Sequence, residues 1–367
     1  MRIAVVGPLT LPAAFGGVTR HCEELYTRLA ARGHEITVFG RSRHVGDDHV
    51  YKGIRVRGVR SIPASGWETF GYGMLAALRS SSSTYDVVHF QGIASAGFCW
   101  VPRARGRRIA VTVHSVDWAH GKWGRLPRSY LRWVEGRALA SAGVVIAVSR
   151  SLRDELRTRH PGREIHYLPN GIEVPAELPP PDAVRALGLE PGRYVLFVGR
   201  LVPEKGVHFL VEAHRQMTGG GVPLAIVGGP RYSEAYADEL RRSAGEGVRF
   251  LGFRSGEELR ALYAHAAVFV APSLHEGFNL TLLEAMSLGS PIVASDIPAH
   301  RELLGGKGLL ARPGDARALA DAVSALLADT DRARRMGAEA RAFVAASAEY
   351  DWDAIAASTE RLLAGLR

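Results

Sequence analysis

Short apolar runs rich in β-branched residues alternate with longer amphipathic stretches along most of the chain. In residues 1–170 the runs predict strands at Ile3–Val6, Glu35–Phe39, Val87–Phe90, Ile109–His114, Val144–Val148 and Ile165–Leu168. In the second half they predict strands at Tyr194–Val198, Leu224–Val227, Arg249–Leu251, Val268–Ala271 and Ile292–Ala294. Strands that alternate with helices in this way favour parallel sheets built from βαβ units.

The helices are predicted from apolar spacing and from signals at their ends. One helix is predicted over residues 18–31, where one stripe is apolar: Val18, Cys22, Leu25 and Leu29. Gly33 should end this helix as a left-handed cap. Ser255 with Glu258 forms a capping-box pattern at the start of a later helix. A last helix is predicted over residues 350–366.

Two domains follow from the chain's length and from a break near its middle. With 367 residues the chain is too long for one ordinary hydrophobic core. Val174–Asp182 holds four prolines in nine residues, which is typical of a linker. We therefore expect an α/β fold of two Rossmann-like, doubly wound domains, residues 1–173 and 183–349, joined by residues 174–182. Ligands of such sheets bind at the carboxyl ends of the strands, so we expect a cleft between the domains.

Composition indicates a soluble globular protein, with 47% apolar and 23% charged residues. No apolar run approaches the roughly 20 residues that span a bilayer. No basic segment precedes the first strand, so we expect no signal peptide. The two cysteines, Cys22 and Cys99, cannot form a disulfide framework, which favours a reducing cytoplasmic location.

The net charge of +9 is spread unevenly along the chain. Residues 1–170 carry 25 Lys and Arg against 12 Asp and Glu, and the remainder carries 21 against 25. A basic first half suits nucleic acid, an anionic membrane surface or an acidic acceptor. The Arg-rich composition of a high-GC genome is the alternative explanation.

The first candidate site is the glycine pair Gly16-Gly17, between the first strand and the first helix. Glycines at a helix N-terminus let backbone N–H groups approach an anion. The glycine spacing does not match the dinucleotide fingerprint, and the second strand ends in Gly40-Arg41 without an acidic residue for a ribose. A nicotinamide or flavin site is therefore disfavoured, and a simple tight turn stays the alternative.

The second candidate site is the loop that follows the strand ending at Val198. Arg200 offers a planar fork and Lys205 a mobile point charge, a pair that suits a diphosphate. Surface loops often carry Lys and Arg, so this pattern alone is weak.

The third candidate site runs from Glu276 to Glu284. Two carboxylates can act as the acid and base of a hydrolase. If both were helical, however, they would lie about 80° apart around the axis and roughly 12 Å apart along it. We instead expect Glu276 in a loop and a helix that starts near Phe278, with its first N–H groups facing an anion. Glu284 would then lie roughly 7–8 Å along that helix, close to the reach from a diphosphate to its ribose.

The spacing of these two segments resembles the retaining family 4 glycosyltransferases of GT-B fold. The resemblance rests on Gly-Arg-x3-Glu-Lys-Gly at 199–206 and Glu-Gly-Phe-Asn-x4-Glu-Ala-Met at 276–286, and it extends to Gly16-Gly17, to His114 and to Pro169-Asn170-Gly171. It covers almost the whole chain. It implies that residues 350–367 cross back and complete the first domain.

The resemblance also implies roles for individual residues. Arg200 and Lys205 would hold the donor diphosphate, Glu284 its ribose, and Glu276 a hydroxyl of the transferred sugar. The remaining donor contacts would come from Gly16, Gly17, Gly252, Phe253, Phe278, Asn279 and Leu280, with base recognition near Phe250–Phe253 and Gly228-Gly229. His114 would lie beside the sugar, although a lone His at a strand end is also an ordinary structural residue.

The sequence departs from the family pattern at one position of the expected sugar site, and further predictions concern the acceptor. Asn279 replaces a glycine common in the family, which places a side chain near the expected sugar. Acceptor contacts are predicted at Asp117, Trp67 and Arg20, with the loop Ser61–Gly73 around Trp67. No cofactor and no metal are required. The Asp351-Trp352-Asp353 triplet spells a metal-binding pattern of another glycosyltransferase fold, but we expect Asp351 to cap the last helix and Trp352 to be buried.

The segment Lys122–Arg137 interleaves arginines with aromatic residues. Such a helix suits peripheral contact with an anionic membrane, on its inner face. The alternative is a solvated helix whose buried stripe is formed by Leu131, Val134 and Ala138.

Together these patterns predict a retaining glycosyltransferase that moves a sugar from a nucleotide diphosphate sugar to a hydroxyl acceptor. A UDP-sugar is the first expectation for the donor and GDP-mannose the second. A nucleotide-sugar epimerase or a phosphorylase of the same fold is the enzymatic alternative. A nucleic-acid-binding protein is the alternative of another class, but no nucleic-acid-binding module is recognised.

Overall fold

The computed structural model describes residues 1–13, 16–60, 67–116, 118, 125–217, 221–230 and 234–366. The chain divides into two compact units. The first comprises Met1–Gly171 together with Glu349–Arg367, and the second comprises Ile172–Ala348. The C-terminal segment therefore packs with the N-terminal unit.

The proline-rich stretch lies against the second unit. Residues 172–181 form no helix or strand. The ring of His265 donates a hydrogen bond to the Pro179 carbonyl (2.8 Å), and Arg341 donates to the Pro175 carbonyl (2.6 Å). The stretch is thus held by side chains of the second unit over much of its length.

Within its described residues, the first unit contains an eight-stranded sheet. Its strands are β1 (Arg2–Val6), β2 (Glu35–Arg41), β3 (His49–Tyr51), β4 (Ile54–Val59), β5 (Val87–Gln91), β6 (Arg108–Val113), β7 (Val144–Ala147) and β8 (His166–Tyr167). The order is β3-β4-β2-β1-β5-β6-β7-β8, parallel except for β3 against β4. The winding direction reverses between β1 and β5, so ligands are expected at that end of the sheet.

Helices of the first unit cover the two faces of this sheet. They are α1 (Gly17–Ala31), α2 (Ser42–Val45), α3 (Trp67–Ser80), α4 (Trp100–Ala104), α5 (Arg125–Ser141), α6 (Arg150–Arg159) and α15 (Trp352–Ala364). A 3-10 segment, Ala94–Phe98, precedes α4. Trp352 and Leu363 of α15 pack into the same core as Ile3 and Leu25, which explains why the C-terminal helix belongs to this unit.

The six strands predicted for the first half are all present, with ends that differ by one or two residues. The hairpin β3–β4 was not predicted, because Arg55 and Arg57 interrupt the apolar run of β4 while Ile54 and Val56 are buried. The segment Ser61–Gly73 is not simply a loop, because helix α3 begins at Trp67.

The part of the second unit that the structure describes contains a six-stranded parallel sheet. Its strands are β9 (Val195–Val198), β10 (Leu224–Val227), β11 (Val248–Gly252), β12 (Val268–Ala271), β13 (Ile292–Ser295) and β14 (Leu309–Ala311). Its helices are α7 (Asp182–Ala186), α8 (Val207–Gln216), α9 (Glu234–Ser243), α10 (Gly256–Ala264), α11 (Leu280–Ser287), α12 (Pro298–Leu304), α13 (Ala316–Ala328) and α14 (Thr330–Ala346). The order β11-β10-β9-β12-β13-β14 is that of a Rossmann fold. The five predicted strands are present, and β14 was not predicted.

Helix ends show which cap predictions hold. The N–H of Gly33 (φ +87°) bonds the Ala30 carbonyl at 3.0 Å, and the N–H of His34 bonds the Leu29 carbonyl at 3.2 Å, so α1 ends as predicted. Asp351 accepts the N–H of Ala354 (2.7 Å) and caps α15. The capping box is wrong in its hydrogen bonds: Ser255 stands at the N-cap of α10, but its side chain makes no cap hydrogen bond.

Several sequence expectations concern chemistry outside the sheets. Cys22 and Cys99 are both buried and unpaired with one another, and burial raises the pKa of the Cys22 thiol. Asp353 lies 3.3 Å from the guanidinium of Arg28. Within the described residues, no cluster of three or more His, Cys, Asp and Glu side chains could hold a metal ion. The same residues include no helix with the length and apolarity to span a bilayer.

Candidate active site

The loop after β9 starts the candidate site in the second unit. The N–H of Gly199 bonds the Val227 carbonyl (2.9 Å), and the N–H of Leu201 bonds the Gly229 carbonyl (3.1 Å). These bonds tie the loop to the end of the neighbouring strand β10. Arg200 is exposed between them, and its guanidinium has no hydrogen-bond or ion-pair partner among the described residues.

A short 3-10 turn, Pro203–Lys205, then leads into α8 through Gly206. Gly206 has φ +67°, and a Cβ placed on it would lie 2.1 Å from the carbonyl oxygen of Pro272. The loop after β9 therefore packs backbone to backbone on the loop after β12, and only glycine fits.

We expect Gly206→Ala to lower the free energy of unfolding by about 2 kcal/mol or more, because it combines a left-handed backbone with a steric overlap. Gly256→Ala is the matched control, since Gly256 has φ +61° but a Cβ placed on it would meet no atom within 4 Å. Chemical denaturation of both variants measures the difference. Equal destabilisation by both would show that the contact with Pro272 is not important.

Lys205 and Glu276 meet where the loops after β9 and β12 come together. The ammonium of Lys205 donates to Oε1 of Glu276, and the hydroxyl of Ser273 donates to the same oxygen at 2.8 Å. Both charged side chains are largely buried, with exposed fractions of 14% and 11%. Strands β9 and β12 flank the point where the sheet's winding reverses, which is where ligands of such folds bind.

The electrostatics of this pair keep Glu276 ionised. Burial alone would raise the pKa of the Glu276 carboxyl, but the charge and hydrogen bond of Lys205, with the hydrogen bond of Ser273, hold the pKa below its usual value. Burial is also the main reason that the pKa of His300 is lowered, so its ring is neutral. The site therefore contains a fixed carboxylate beside a fixed ammonium.

Helix α11 begins at Leu280, two residues later than expected, and Asn279 is its N-cap. The Asn279 side-chain oxygen accepts the N–H of Leu282 (3.3 Å), and its amide donates to Nε2 of His300 (2.9 Å). Asn279 is 2% exposed, so the hydrogen bonds of its side chain are made inside the unit. The side chain of Asn279 is therefore not available to a ligand, because the cap and His300 hold it inside.

The backbone at this helix start is open to a ligand. The N–H groups of Phe278, Asn279 and Leu280 bond no acceptor among the described residues. They add to the partial positive charge of the helix N-terminus, an arrangement that suits an anion.

Glu284 lies on α11, about 6 Å along the axis from Leu280. It accepts a hydrogen bond from the hydroxyl of Tyr263 (2.8 Å). Tyr263 is 1% exposed, and its carbonyl accepts the Ser290 hydroxyl at 2.7 Å. The carboxylate is therefore held in place by a buried phenol.

Gly252 and Phe253 lie at the carboxyl end of β11. The carbonyl of Gly252 accepts the N–H of Gly228 (2.8 Å), and the side chain of Phe253 is 56% exposed. A Cβ on Gly228 would lie 1.9 Å from the carbonyl oxygen of Gly199, so the loops after β9, β10 and β11 are in direct contact. The structure thus brings together at one sheet edge the residues predicted for the second unit.

In the first unit, Gly16 is the N-cap of α1 with φ +91°, and Gly17 is its first residue. Both are exposed, as is Arg20 on the first turn. Trp67 opens α3, but its side chain lies outside the described residues. Asp117 lies outside them as well.

His114 follows β6 at the same edge of this sheet and ends a buried hydrogen-bond chain. Its Nε2–H donates to Oε1 of Gln91 (2.8 Å), whose amide donates to the hydroxyl of Tyr26 (2.6 Å). That hydroxyl donates to His89, which donates to Thr112. Burial lowers the pKa of His114 well below its usual value, with smaller contributions from His21 and His89. A neutral His114 therefore keeps Nδ1 as an acceptor.

Sequence reasoning missed the residues that hold the others in place. These are Ser273, Tyr263, His300 and Gln91, which support Glu276, Glu284, Asn279 and His114 respectively. Tyr72, within the predicted acceptor segment Ser61–Gly73, is 1% exposed and donates to the Phe39 carbonyl, so it is a core residue. No local sequence pattern identifies partners that lie on other elements.

Comparison with known proteins identifies the family. The family model described as Glycosyltransferase Family 4 matches residues 15–174, and the one described as Glycosyl transferases group 1 matches residues 192–329. The glycogen synthase of Mycobacterium tuberculosis is 32% identical, over 99% of this chain and 94% of that protein. This chain belongs to glycosyltransferase family 4. It is a glycosyltransferase, as the sequence predicted.

A further relative in sequence and two solved structures match this glycosyltransferase over most of their length. The D-inositol 3-phosphate glycosyltransferase of Nocardia farcinica is 31% identical, over 96% of this chain and 86% of that protein. The structure of sucrose-phosphate synthase from Thermosynechococcus elongatus has a TM-score of 0.84 and 26% identity, covering 98% of each chain. HepE of Anabaena, solved with UDP-glucose, has a TM-score of 0.83 and 21% identity, covering all of each chain. The predicted GT-B architecture is confirmed.

Proposed function

We propose that this glycosyltransferase moves a sugar from a nucleotide diphosphate sugar to a hydroxyl acceptor with retention of anomeric configuration. The observation that carries the proposal is the buried Lys205–Glu276 pair at the point where β9 and β12 diverge. A cation there suits a diphosphate, and a fixed carboxylate hydrogen-bonded to it suits a sugar hydroxyl.

The other groups at this edge match the remaining parts of such a donor. Arg200 and Lys205 bind the diphosphate, with the N–H groups of Phe278, Asn279 and Leu280 at the phosphates and the sugar. Glu284 binds the ribose hydroxyls, and Gly252 and Phe253 contact the base. Each charge-assisted hydrogen bond contributes roughly 1.5–3 kcal/mol.

The first unit contributes the roles that the family resemblance implies. The N–H groups at Gly16 and Gly17 contact the donor phosphate, and His114 accepts a hydrogen bond from the transferred sugar through Nδ1. Trp67, Asp117 and Arg20 remain our candidates for acceptor binding.

In the reaction, the acceptor oxygen bonds the anomeric carbon as the bond from that carbon to the phosphate oxygen breaks. The acceptor proton passes to the leaving phosphate, which departs from the same face. Glu276 is engaged by Lys205 and Ser273, which suits a carboxylate that positions the sugar rather than one that attacks carbon. Arg200, Lys205 and the start of α11 stabilise the charge that develops on the phosphate, so no metal is needed for that step.

A UDP-sugar is the donor that we propose, and GDP-mannose is second. HepE was solved with UDP-glucose, which supports a uridine nucleotide. The relatives' names include a glycogen synthase and a D-inositol 3-phosphate glycosyltransferase, so both glycans and phosphorylated small molecules belong among the acceptors tested.

The experiment is a panel of nucleotide sugars incubated with the purified chain, with and without acceptors. We expect one donor to be hydrolysed slowly without acceptor and its nucleoside diphosphate to raise the melting temperature. Product analysis by NMR then gives the anomeric configuration. Conversion of the donor sugar into an epimer without acceptor would contradict the proposal, as would inverted product.

The ribose contact gives a separate prediction. Glu284→Ala should weaken binding of the nucleoside diphosphate found in the panel by roughly tenfold or more, because it removes charge-assisted hydrogen bonds to the ribose. Calorimetry with the 2′,3′-dideoxy analogue tests the assignment, since wild type and variant should bind that analogue equally. Glu339→Ala, at an exposed carboxylate of the same unit, is the control. A loss of equal size for both nucleotides would place Glu284 elsewhere.

A further inference from the structure

Helix α3 has an outer face that is apolar. Phe70, Met74, Leu75 and Leu78 lie on this face with exposed fractions of 39%, 39%, 36% and 42%. The opposite face is buried through Tyr72, Ala76 and Ala77. Among the described side chains of α3, Arg79 is the only charged group on the outer face. A surface helix of a globular protein normally carries polar residues there, so this face indicates a partner.

The neighbouring helices α4 and α5 also expose large aromatic side chains. Trp100, at the start of α4, is 50% exposed, and Tyr130 and Trp133 of α5 are 45% and 59% exposed. The rings of Tyr130 and Trp133 stack with centroids 6.1 Å apart. We call the four apolar side chains of α3 with these three aromatic residues the aromatic surface.

The 3-10 segment Ala94–Phe98 joins the parts of the aromatic surface. The ring of Phe98 meets the ring of Phe70 edge-on, with centroids 4.8 Å apart. On its other side, a Cβ on Gly97 would lie 3.5 Å from Val134 of α5. Helices α3 and α5 therefore lie on either side of one segment, and none of the donor-site residues of the second unit takes part.

The charge beside the aromatic surface is positive. The exposed charged side chains of α4 and α5 are arginines: Arg103, Arg125, Arg132 and Arg137. The one carboxylate on these two helices is Glu135, whose side chain is 3% exposed and bonded to Arg159, His160 and Trp118. Among the described side chains of α4 and α5, the exposed charges beside these apolar and aromatic groups are therefore cations, which match the interface of an anionic bilayer.

We propose that the aromatic surface docks on an anionic phospholipid bilayer, with the side chains of α3, Trp100, Tyr130 and Trp133 at the headgroup level. A second copy of the chain is a poorer occupant, because a two-fold contact through this surface would oppose arginines to arginines. The proposal is independent of the donor and of the acceptor.

Vesicle co-sedimentation of the full chain tests it. Wild type should bind vesicles of phosphatidylcholine with phosphatidylglycerol, bind pure phosphatidylcholine weakly, and release with added salt. Met74→Gln with Leu78→Gln should weaken binding roughly tenfold, because two apolar side chains are lost from the interface. Arg125→Gln with Arg137→Gln should remove the preference for anionic vesicles.

Each control variant replaces residues of the same type and of similar exposure in the second unit. Leu178→Gln with Leu310→Gln alters two apolar residues of the second unit that are 42% and 41% exposed, and Arg317→Gln with Arg334→Gln alters two exposed arginines there. Both should bind vesicles as wild type does. Unchanged melting temperature and nucleotide binding in every variant would show that folding and the donor site are intact.

Three results would overturn the proposal. The first is wild-type chain that does not bind anionic vesicles, and the second is a Met74/Leu78 variant that binds them as wild type does. The third is a dimer in lipid-free solution that this variant abolishes without any vesicle binding, which would assign the aromatic surface to a second copy.

Discussion

Lys205→Ala should lower kcat/KM for sugar transfer by about 10²- to 10³-fold, the loss typical of removing one preorganised charge from a developing anion. Lys205 is the most buried cation of the candidate site, and Gly206 and the 3-10 turn fix its position. Because its ammonium would meet the diphosphate, the variant should also bind the nucleoside diphosphate more weakly. Steady-state kinetics and calorimetry measure the two effects.

Removal of Lys205 has a second consequence, because Glu276 then keeps its burial but loses the nearest cation. The pKa of Glu276 should rise, since Lys205 is the first of the groups that oppose the effect of burial. Lys307→Ala is the matched control, because Lys307 is a lysine of the same unit whose side chain is 36% exposed and lies 3.8 Å from Glu339, outside the candidate site. Near wild-type turnover in both Lys205→Ala and Arg200→Ala would rule out the assigned diphosphate site.

Glu276→Gln should lower kcat by about 10²-fold while leaving nucleoside diphosphate binding equal or tighter. The amide keeps the size of the side chain but removes the charge that accepts a hydrogen bond from the sugar. Lys205 then loses its carboxylate partner and can engage the diphosphate more fully. The two effects separate the sugar contact from the phosphate contact within one buried pair.

Measuring turnover and nucleoside diphosphate binding separately distinguishes a sugar contact of Glu276 from a phosphate contact. In Glu276→Gln, calorimetry with the nucleoside diphosphate reports the phosphate contact, and turnover reports the sugar contact. Glu339→Gln, which changes an exposed carboxylate, should alter neither. If the Glu276 variant lost nucleotide affinity in proportion to kcat, Glu276 would act on the phosphate or on folding and not on the sugar.

Much of the fold could be predicted because fully buried strands form uninterrupted apolar runs in the sequence. Val268–Ala271 and Leu224–Val227 are predicted to the residue, since both are fully buried apolar runs. Strands β4 and β14 were not predicted. In β4 the outward-facing Arg55 and Arg57 interrupt the apolar run, and β14 is short with Leu310 exposed.

The candidate site was predictable where side chains follow strand ends and helix starts. Arg200, Lys205 and Glu276 lie on loops at the carboxyl ends of β9 and β12, so the topology alone brings them together. The groups that hold Glu284 and Asn279 in place were not predictable, since Tyr263 and His300 belong to other helices and have no fixed spacing from these partners. The role of Asn279 was not predictable either. In the sequence it replaces a glycine beside the expected sugar, whereas in the structure its side chain is a buried helix cap.

The structure shows which residues of the basic first half are buried and which are exposed. The predicted buried stripe of α5 is present in Leu131, Val134 and Ala138, while Tyr130 and Trp133 of the same helix are exposed. The two interpretations of this segment are therefore compatible. The apolar outer face of α3 was not predicted at all, because a mean hydropathy does not tell which side of a helix is covered.

Diphosphate binding by the second unit is measured most directly by titration calorimetry of the Arg200→Ala, Lys205→Ala double variant against wild type. The ligands are the nucleoside diphosphate from the donor panel and the corresponding nucleoside without phosphates. If the second unit holds the diphosphate as proposed, the double variant loses about 100-fold or more in affinity for the diphosphate. Its affinity for the nucleoside should stay unchanged. Wild-type affinity of the double variant for the nucleoside diphosphate would show that Arg200 and Lys205 do not hold the diphosphate.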